Sequence, residues 1–176
     1  MLFLNMAIKV TLDTCCLIDY QNKKDIYMPK IIEMHKVGNI DIKCTTRVDF
    51  DQRNYEDTNK KDELDKLCNQ FGIIGTVLRW DFSKLGDGDF FSGEEENILE
   101  ERLKTIMFPN VDFVILNEKN QGRLADIDHL LGHILEKRDY FITSNTKDFI
   151  DKGKREKLRS LFGIVILTPE EFLKTV

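Results

Sequence analysis

Only three prolines occur in these 176 residues, and no Ser/Gly-rich tract accompanies them, so nothing marks a linker between domains. A single domain over residues 1–176 is expected, of a size that supports a real core. A long apolar run is also missing. The opening MLFLNM runs into Lys9 and Asp13 and is too short for a signal peptide or a membrane span, so the expected compartment is the cytoplasm, with no membrane contact. Cysteine is sparse: Cys15, Cys16, Cys44 and Cys68 show no C-x-x-C spacing, and their apolar neighbours suggest buried small hydrophobes rather than zinc ligands or disulfides. Positive charge is in short supply as well. A net charge of −5 argues against strong non-specific binding to nucleic acid, because phosphate neutralisation by Lys and Arg supplies most of that affinity.

What is present has the balance of a folded globular protein, 41% hydrophobic and 32% charged, which excludes a disordered or membrane-embedded chain. Short β-branched runs (AIKVTL, DIKCTT, IIGTVLRW, VDFVIL, YFIT, GIVIL) alternate with helical patterns, the order of a mainly parallel α/β sheet. Leu64, Leu67, Cys68 and Phe71 recur at helical spacing with Gly72 as a stop, and Ser92 with Glu95 reads as a capping box. Gln52 to Asn59 and the GDGDFF stretch read as loops or frayed helix ends. Asp87-Gly88-Asp89 lacks the ligand ladder of a calcium loop and reads as a turn, while Glu94 to Glu96 favour a helix N-terminus.

Three aspartates stand where folding gives them little reason to be. Asp13 ends the strand IKVTL, where ligands gather in open α/β sheets, although Asp is also a favoured N-cap for a helix starting near Thr14. Asp128 falls within the apolar stripe Leu124, Ile127, Leu131, Ile134, Leu135 of a helix from Leu124 onward. A buried carboxylate there needs a cation or a hydrogen-bond network. Asp148 and Asn145 follow the strand at Tyr140 to Thr143, with an Asx turn as the local alternative.

Other groupings are weaker. Asp126 lies roughly 200° around the helix from Asp128 and reads as an N-cap. Grouped instead with His129 and His133 it would make a transition-metal box, but HLLGH lacks the glutamate of H-E-x-x-H, so a solvent-facing histidine pair is the plainer reading. In CTTRVDFDQ, Thr46 with Asp49 resembles a capping pair, which leaves Asp51 freer to address a shared site. Behind Asp148, KGKREKLR brings Lys152, Lys154, Arg155, Lys157 and Arg159 together, either as a solvated helix face or as an RNA-contacting patch.

From IKVTLDTCCLIDY to GIVILTPEEFL the order of these motifs resembles the PIN-domain nucleases. The LDTCCLID start implies a metal-binding role for Asp13. The second acidic position corresponds to Asp51, where glutamate is usual, the third to Asp128 opening an apolar helix, and the fourth to Thr143, Asn145, Asp148 and Phe149. The resemblance implies a three-layer α/β/α sandwich and an endoribonuclease using Mg²⁺ or Mn²⁺. It makes Asp13, Asp128 and Asp148 the principal ligands, with Asp51 completing the site and Asn145, Thr14 and Thr143 supporting it. Lys152, Lys154 and Arg155 would then touch RNA. Toxin-type members of the family imply an antitoxin partner and a homodimer. A non-catalytic PIN-like module binding RNA or protein is the alternative, and residues 53–110 match no motif.

Overall fold

The computed structural model describes residues 7–53, 57–79, 83, 86, 88–115 and 117–176. In chain order these form β1 (Ile8–Leu12), α1 (Thr14–Gln21), α2 (Met28–Lys36), β2 (Ile40–Thr45), α3 (Val48–Asp51), α4 (Thr58–Phe71) and β3 (Ile73–Ile74). There follow α5 (Glu94–Met107), α6 (Glu118–Leu135), β4 (Tyr140–Ile142), α7 (Thr146–Phe149), a 3₁₀ turn at Asp151–Gly153, α8 (Lys154–Phe162), β5 (Val165–Leu167) and α9 (Pro169–Thr175).

The strands make one sheet in the order β3-β2-β1-β4-β5, and every pairing is parallel. Alternation along each strand divides the core. Val10, Leu12, Ile42 and Ile142 face Leu17, Ile31, Leu64 and Phe172 from α1, α2, α4 and α9. Phe141 and Ile166 face Leu103, Ile127, Leu131 and Leu158 from α5, α6 and α8. The result is a three-layer α/β/α sandwich whose strands are buried on both sides, as a parallel sheet requires.

The chain reverses direction of travel across the sheet at β1: β2 lies on one side and β4 on the other. A crevice opens at the carboxyl ends of strands where the order switches, and here those ends deliver Asp13 and Thr143 side by side. The Asp13 amide donates to Ile142 O at 2.9 Å, and the Thr143 amide to Leu167 O at 3.0 Å. Above this crevice runs α6, drawn close to the sheet because Gly132 has no side chain. A β-carbon there would lie 3.1 Å from Ile74 Cγ2.

Several local expectations need correction. The run IIGTVLRW forms a strand only at Ile73–Ile74, with an isolated bridge from Val77 to Phe90 beyond it, and Trp80 lies outside the described residues. VDFVIL is no strand over 111–115, where Val114 and Ile115 are exposed, and Leu116 is outside the described residues, as are Asp87 and the MLFLNM segment. The cap of α5 sits one residue later than expected and is only half a capping box, since glycine has no side chain to accept a bond. Gly93 is the cap, and its amide donates to Glu96 Oε2 at 2.8 Å. Gly72 does end α4, at φ 88°. The cysteines form no disulfide among the described residues; Cys16, Cys44 and Cys68 are buried and Cys15 half-buried. No helix among the described residues is long and apolar enough to cross a membrane.

Candidate metal centre

Asp13 occupies the N-cap position of α1 without capping it. Its Oδ2 instead accepts the Thr143 hydroxyl at 2.6 Å and the Cys15 thiol at 3.0 Å. Thr143 Oγ1 also accepts the Asn145 amide at 2.9 Å, so its orientation is fixed from the β4 side. Asp13 is 4% exposed and its Oδ1 lies 3.9 Å from His129 Nε2. Beside it, the Thr14 hydroxyl is buried with no hydrogen-bond partner among the described residues.

Asp51 reaches the same point from the end of α3, with Oδ2 3.0 Å from His129 Nε2. One ligand atom each from Asp13, Asp51 and His129 fall within 4.8 Å of one another. Asp126, half-buried in the middle of α6, lies near enough to this group to feel its charges. Burial and the charges of Asp13, Asp148 and Asp51 hold its carboxyl well above the usual carboxylate range, with His129 opposing them. Among the described residues nothing donates a hydrogen bond to it.

His129 is 1% exposed. Its Nδ1 lies 2.6 Å from the Thr45 hydroxyl at the end of β2, which aims Nε2 at the carboxylates. Burial alone would depress its pKa, but the hydrogen bond and charge of Asp51, with Asp13 and Asp126, raise it to about 9. His133, one turn on, serves the fold. Its Nδ1 lies 2.9 Å from Thr11 Oγ1 and its ring packs edge-on against Phe141, while burial and Arg138 push its pKa down to about 3. The two histidines are therefore neither solvent-facing nor a joint box, because each points at a different strand.

Asp128 is where the structure departs furthest from the sequence expectation. It is fully buried, as its place in the apolar stripe required, but it faces away from Asp13. Its Oδ2 accepts Arg47 Nε at 2.8 Å and Arg79 Nε at 2.7 Å, and Arg79 Nη2 bonds Oδ1 at 2.5 Å. Arg47 continues to Asp89 at 3.0 Å, and Arg79 to Glu100 at 3.2 Å, which Lys104 meets at 2.7 Å. The partner that this buried acid demanded is a pair of arginines rather than a metal. Asp126, expected to cap the helix, lies inside it, because α6 begins at Glu118 with Asn117 as its cap. Two residues apart on one helix, the carboxylates point to opposite sides, and the one near Asp13 and Asp51 is Asp126. Thr46 also departs from expectation: its hydroxyl donates to Asp89 Oδ1 at 2.5 Å rather than capping α3, whose N-cap is Arg47.

The remaining candidates flank the centre. Asp148 lies on the rim, close enough to Asp126 to raise its pKa. Asn145 has the local job of an Asx cap: its carbonyl accepts the Asp148 amide at 3.3 Å, and Nδ2 donates to Asp148 Oδ2 at 3.2 Å. Asp51, Asp126 and Asp148 open onto a cleft of about 690 Å³ whose walls carry Lys119, Arg123, Lys147, Lys152, Lys154 and Lys157. Arg123 and Lys154 both sit over the Phe108 ring, at 5.5 and 5.1 Å from its centroid. Burial lowers the pKa of Lys154, against the opposing charge of Asp148. Arg155 takes no part in the cleft, since its guanidinium is held by both oxygens of Glu171 at 2.9 Å.

Sequence reasoning grouped Asp126 and His129 only as an alternative to an N-cap and a solvent-facing histidine pair, and it did not single out the α6 cations Lys119 and Arg123. The available signal was the three-residue spacing of Asp126 and His129, which places them on one helical face. No family model matches the chain, and no curated protein or solved structure matches it either.

Proposed function

We propose that this protein is a metal-dependent endoribonuclease of the PIN-domain kind, a phosphodiesterase using Mg²⁺ or Mn²⁺ in the cytoplasm. The observation that carries this reading is the gathering of ligand atoms from Asp13, Asp51 and His129 within 4.8 Å of one another, beside a cleft walled by cations that Asp51 and Asp126 line. Carboxylate oxygens gathered with so little opposing charge fit a hard divalent cation, which prefers oxygen ligands. Asp13, Asp51 and Asp126 would hold the ion, with Asp148 at the rim. Bound there, such an ion supplies Lewis acidity toward a phosphate and lowers the pKa of water.

The chain's own residues do the rest. Thr143 and Cys15 anchor one oxygen of Asp13, so its other oxygen stays directed toward Asp51 and His129. The lysines on the opposed walls neutralise backbone phosphates and steer a polyanion to the carboxylates, although the protein as a whole is acidic. Local focusing of charge replaces a net positive charge. A toxin restrained by an antitoxin is a special case, and arrest of host growth on expression would support it.

A second reading has one observation in its favour. His129, cationic at neutral pH, already offers Asp51 and Asp13 a counter-charge, which suits a non-catalytic module that binds RNA in the same cleft. The discriminating experiment incubates the full chain with RNA and Mn²⁺ or Mg²⁺, alongside Asp13→Asn and Asp126→Asn. Cleavage by the wild type that disappears in both variants and in chelator is expected. Cleavage persisting in both variants would remove the assignment, and RNA binding without any cleavage would select the second reading.

A further inference from the structure

Among the residues around the centre, only His129 brings a nitrogen donor to a set otherwise made of oxygens. Its ring is buried and clamped from outside the carboxylate group. Thr45 holds Nδ1 at 2.6 Å, the arrangement in which a ligating histidine has its second nitrogen fixed by a neighbouring polar group. Among the described residues Nε2 then meets only the carboxylates, at 3.0 Å from Asp51 Oδ2 and 3.9 Å from Asp13 Oδ1. Adjacent ligands of a six-coordinate ion with bonds of about 2.1 Å lie about 3.0 Å apart. The Asp51 to His129 edge already has that length.

Resting on the metal-centre reading above, the geometry points to His129 as a direct metal ligand, making this a mixed carboxylate–imidazole centre selective for a first-row transition ion such as Mn²⁺ over Mg²⁺. Imidazole suits transition metals, whereas Mg²⁺ demands oxygen and retains its waters. Nε2 and Asp51 would both hold the ion, and the proton that they share in the metal-free protein would be released to solvent. Thr45 becomes a positioning residue, because it fixes the ring orientation without touching the ion.

The test needs no RNA. Full-length protein is titrated with Mn²⁺, and electron spin-echo modulation is recorded on the bound ion; competition with Mg²⁺ gives the preference between the two. A ¹⁴N coupling from imidazole is expected in the wild type and is lost in His129→Gln. The preference for Mn²⁺ over Mg²⁺ is expected to fall at least about 10-fold in that variant. Mn²⁺ binding without nitrogen coupling would overturn the His129 assignment and leave the carboxylate centre standing. Failure of the wild type to bind either ion would overturn both. Should His129→Gln not fold, the wild-type spectrum alone decides.

Discussion

Helix α6 separates two clusters of buried charge that differ in one respect. On the Asp128 side the accounts close: Arg47, Arg79 and Lys104 face Asp89, Asp128 and Glu100, joined by ion pairs of 2.5 to 3.2 Å. On the Asp126 side Asp13, Asp51, Asp126 and Asp148 meet one imidazole and, at 4.0 Å from Asp148, the rim lysine Lys154. Pairing marks the first cluster as structure. It ties the β2–α3 junction, Arg79, Asp89, α5 and α6 into one body. The second, whose carboxylates repel one another, is the place where the proposed cation would bind, since like charges held together raise the free energy of the empty site.

Substitution at the paired cluster should give the largest change in stability. Asp128→Ala strands Arg47 and Arg79 without their shared acceptor, and breaking a buried pair costs about 3–5 kcal/mol. Urea denaturation is expected to show that loss, and an effect below about 1 kcal/mol would mean that the arginines find other acceptors. At the unpaired cluster the sign reverses: Asp126→Asn should stabilise the metal-free protein, because it removes a carboxylate repelled by three others.

Metal addition sharpens the same contrast. Mn²⁺ at 100 times its dissociation constant should stabilise the wild type by about 2.7 kcal/mol. Asp126→Asn should gain much less, whereas Asp128→Asn should retain the whole increment. Equal increments in all three proteins would place the ion elsewhere.

The clusters also differ in their response to pH. The pKa of Asp89 is lowered despite its burial by hydrogen bonds from Ser83, Thr46 and Thr76 and the charge of Arg47, and that of Glu100 chiefly by Arg79 and Lys104. Their contribution is present above pH 3.8 and 4.5 and is lost as pH falls through the depressed values. His129, facing Asp51, Asp13 and Asp126, is raised from 6.5 to about 9, so its contribution is full below 6.5 and fades as pH rises to about 9. The raised Asp126 works in the same direction. Metal-free protein should therefore lose stability between pH 6.5 and 9, and saturating Mn²⁺ should flatten that slope. A slope unchanged by the metal would leave His129 outside the centre.

Single wall cations should matter least. Lys119→Ala or Lys157→Ala is expected to raise KM for RNA about 2- to 5-fold and to weaken its salt dependence, leaving kcat unchanged.

The contrast explains what could be read in advance. Short β-branched runs located β1, β2, β4 and β5, and Asp13 follows from its strand end alone. The apolar stripe of α6 was equally legible, and so was the conclusion that Asp128 must have a partner. Its identity was not, because Arg47 and Arg79 lie 81 and 49 residues away in the chain. A helical wheel correctly separated Asp126 from Asp128 but could not tell which side met Asp13. That depends on how closely α6 approaches the sheet at Gly132 and on the Thr45 hydroxyl that holds His129. Val114 and Ile115 carried strand propensity without a neighbouring strand to pair with.

The most direct measurement compares Mn²⁺-dependent RNA cleavage by Asp126→Asn and Asp128→Asn, at a temperature where circular dichroism shows both to be folded. Asp126→Asn should lose at least about 100-fold in rate, whereas Asp128→Asn, though less stable, should cleave within about 5-fold of the wild type. The opposite pattern, with Asp128→Asn inactive and Asp126→Asn active, would contradict the assignment of the metal to the Asp13, Asp51 and Asp126 side of the helix.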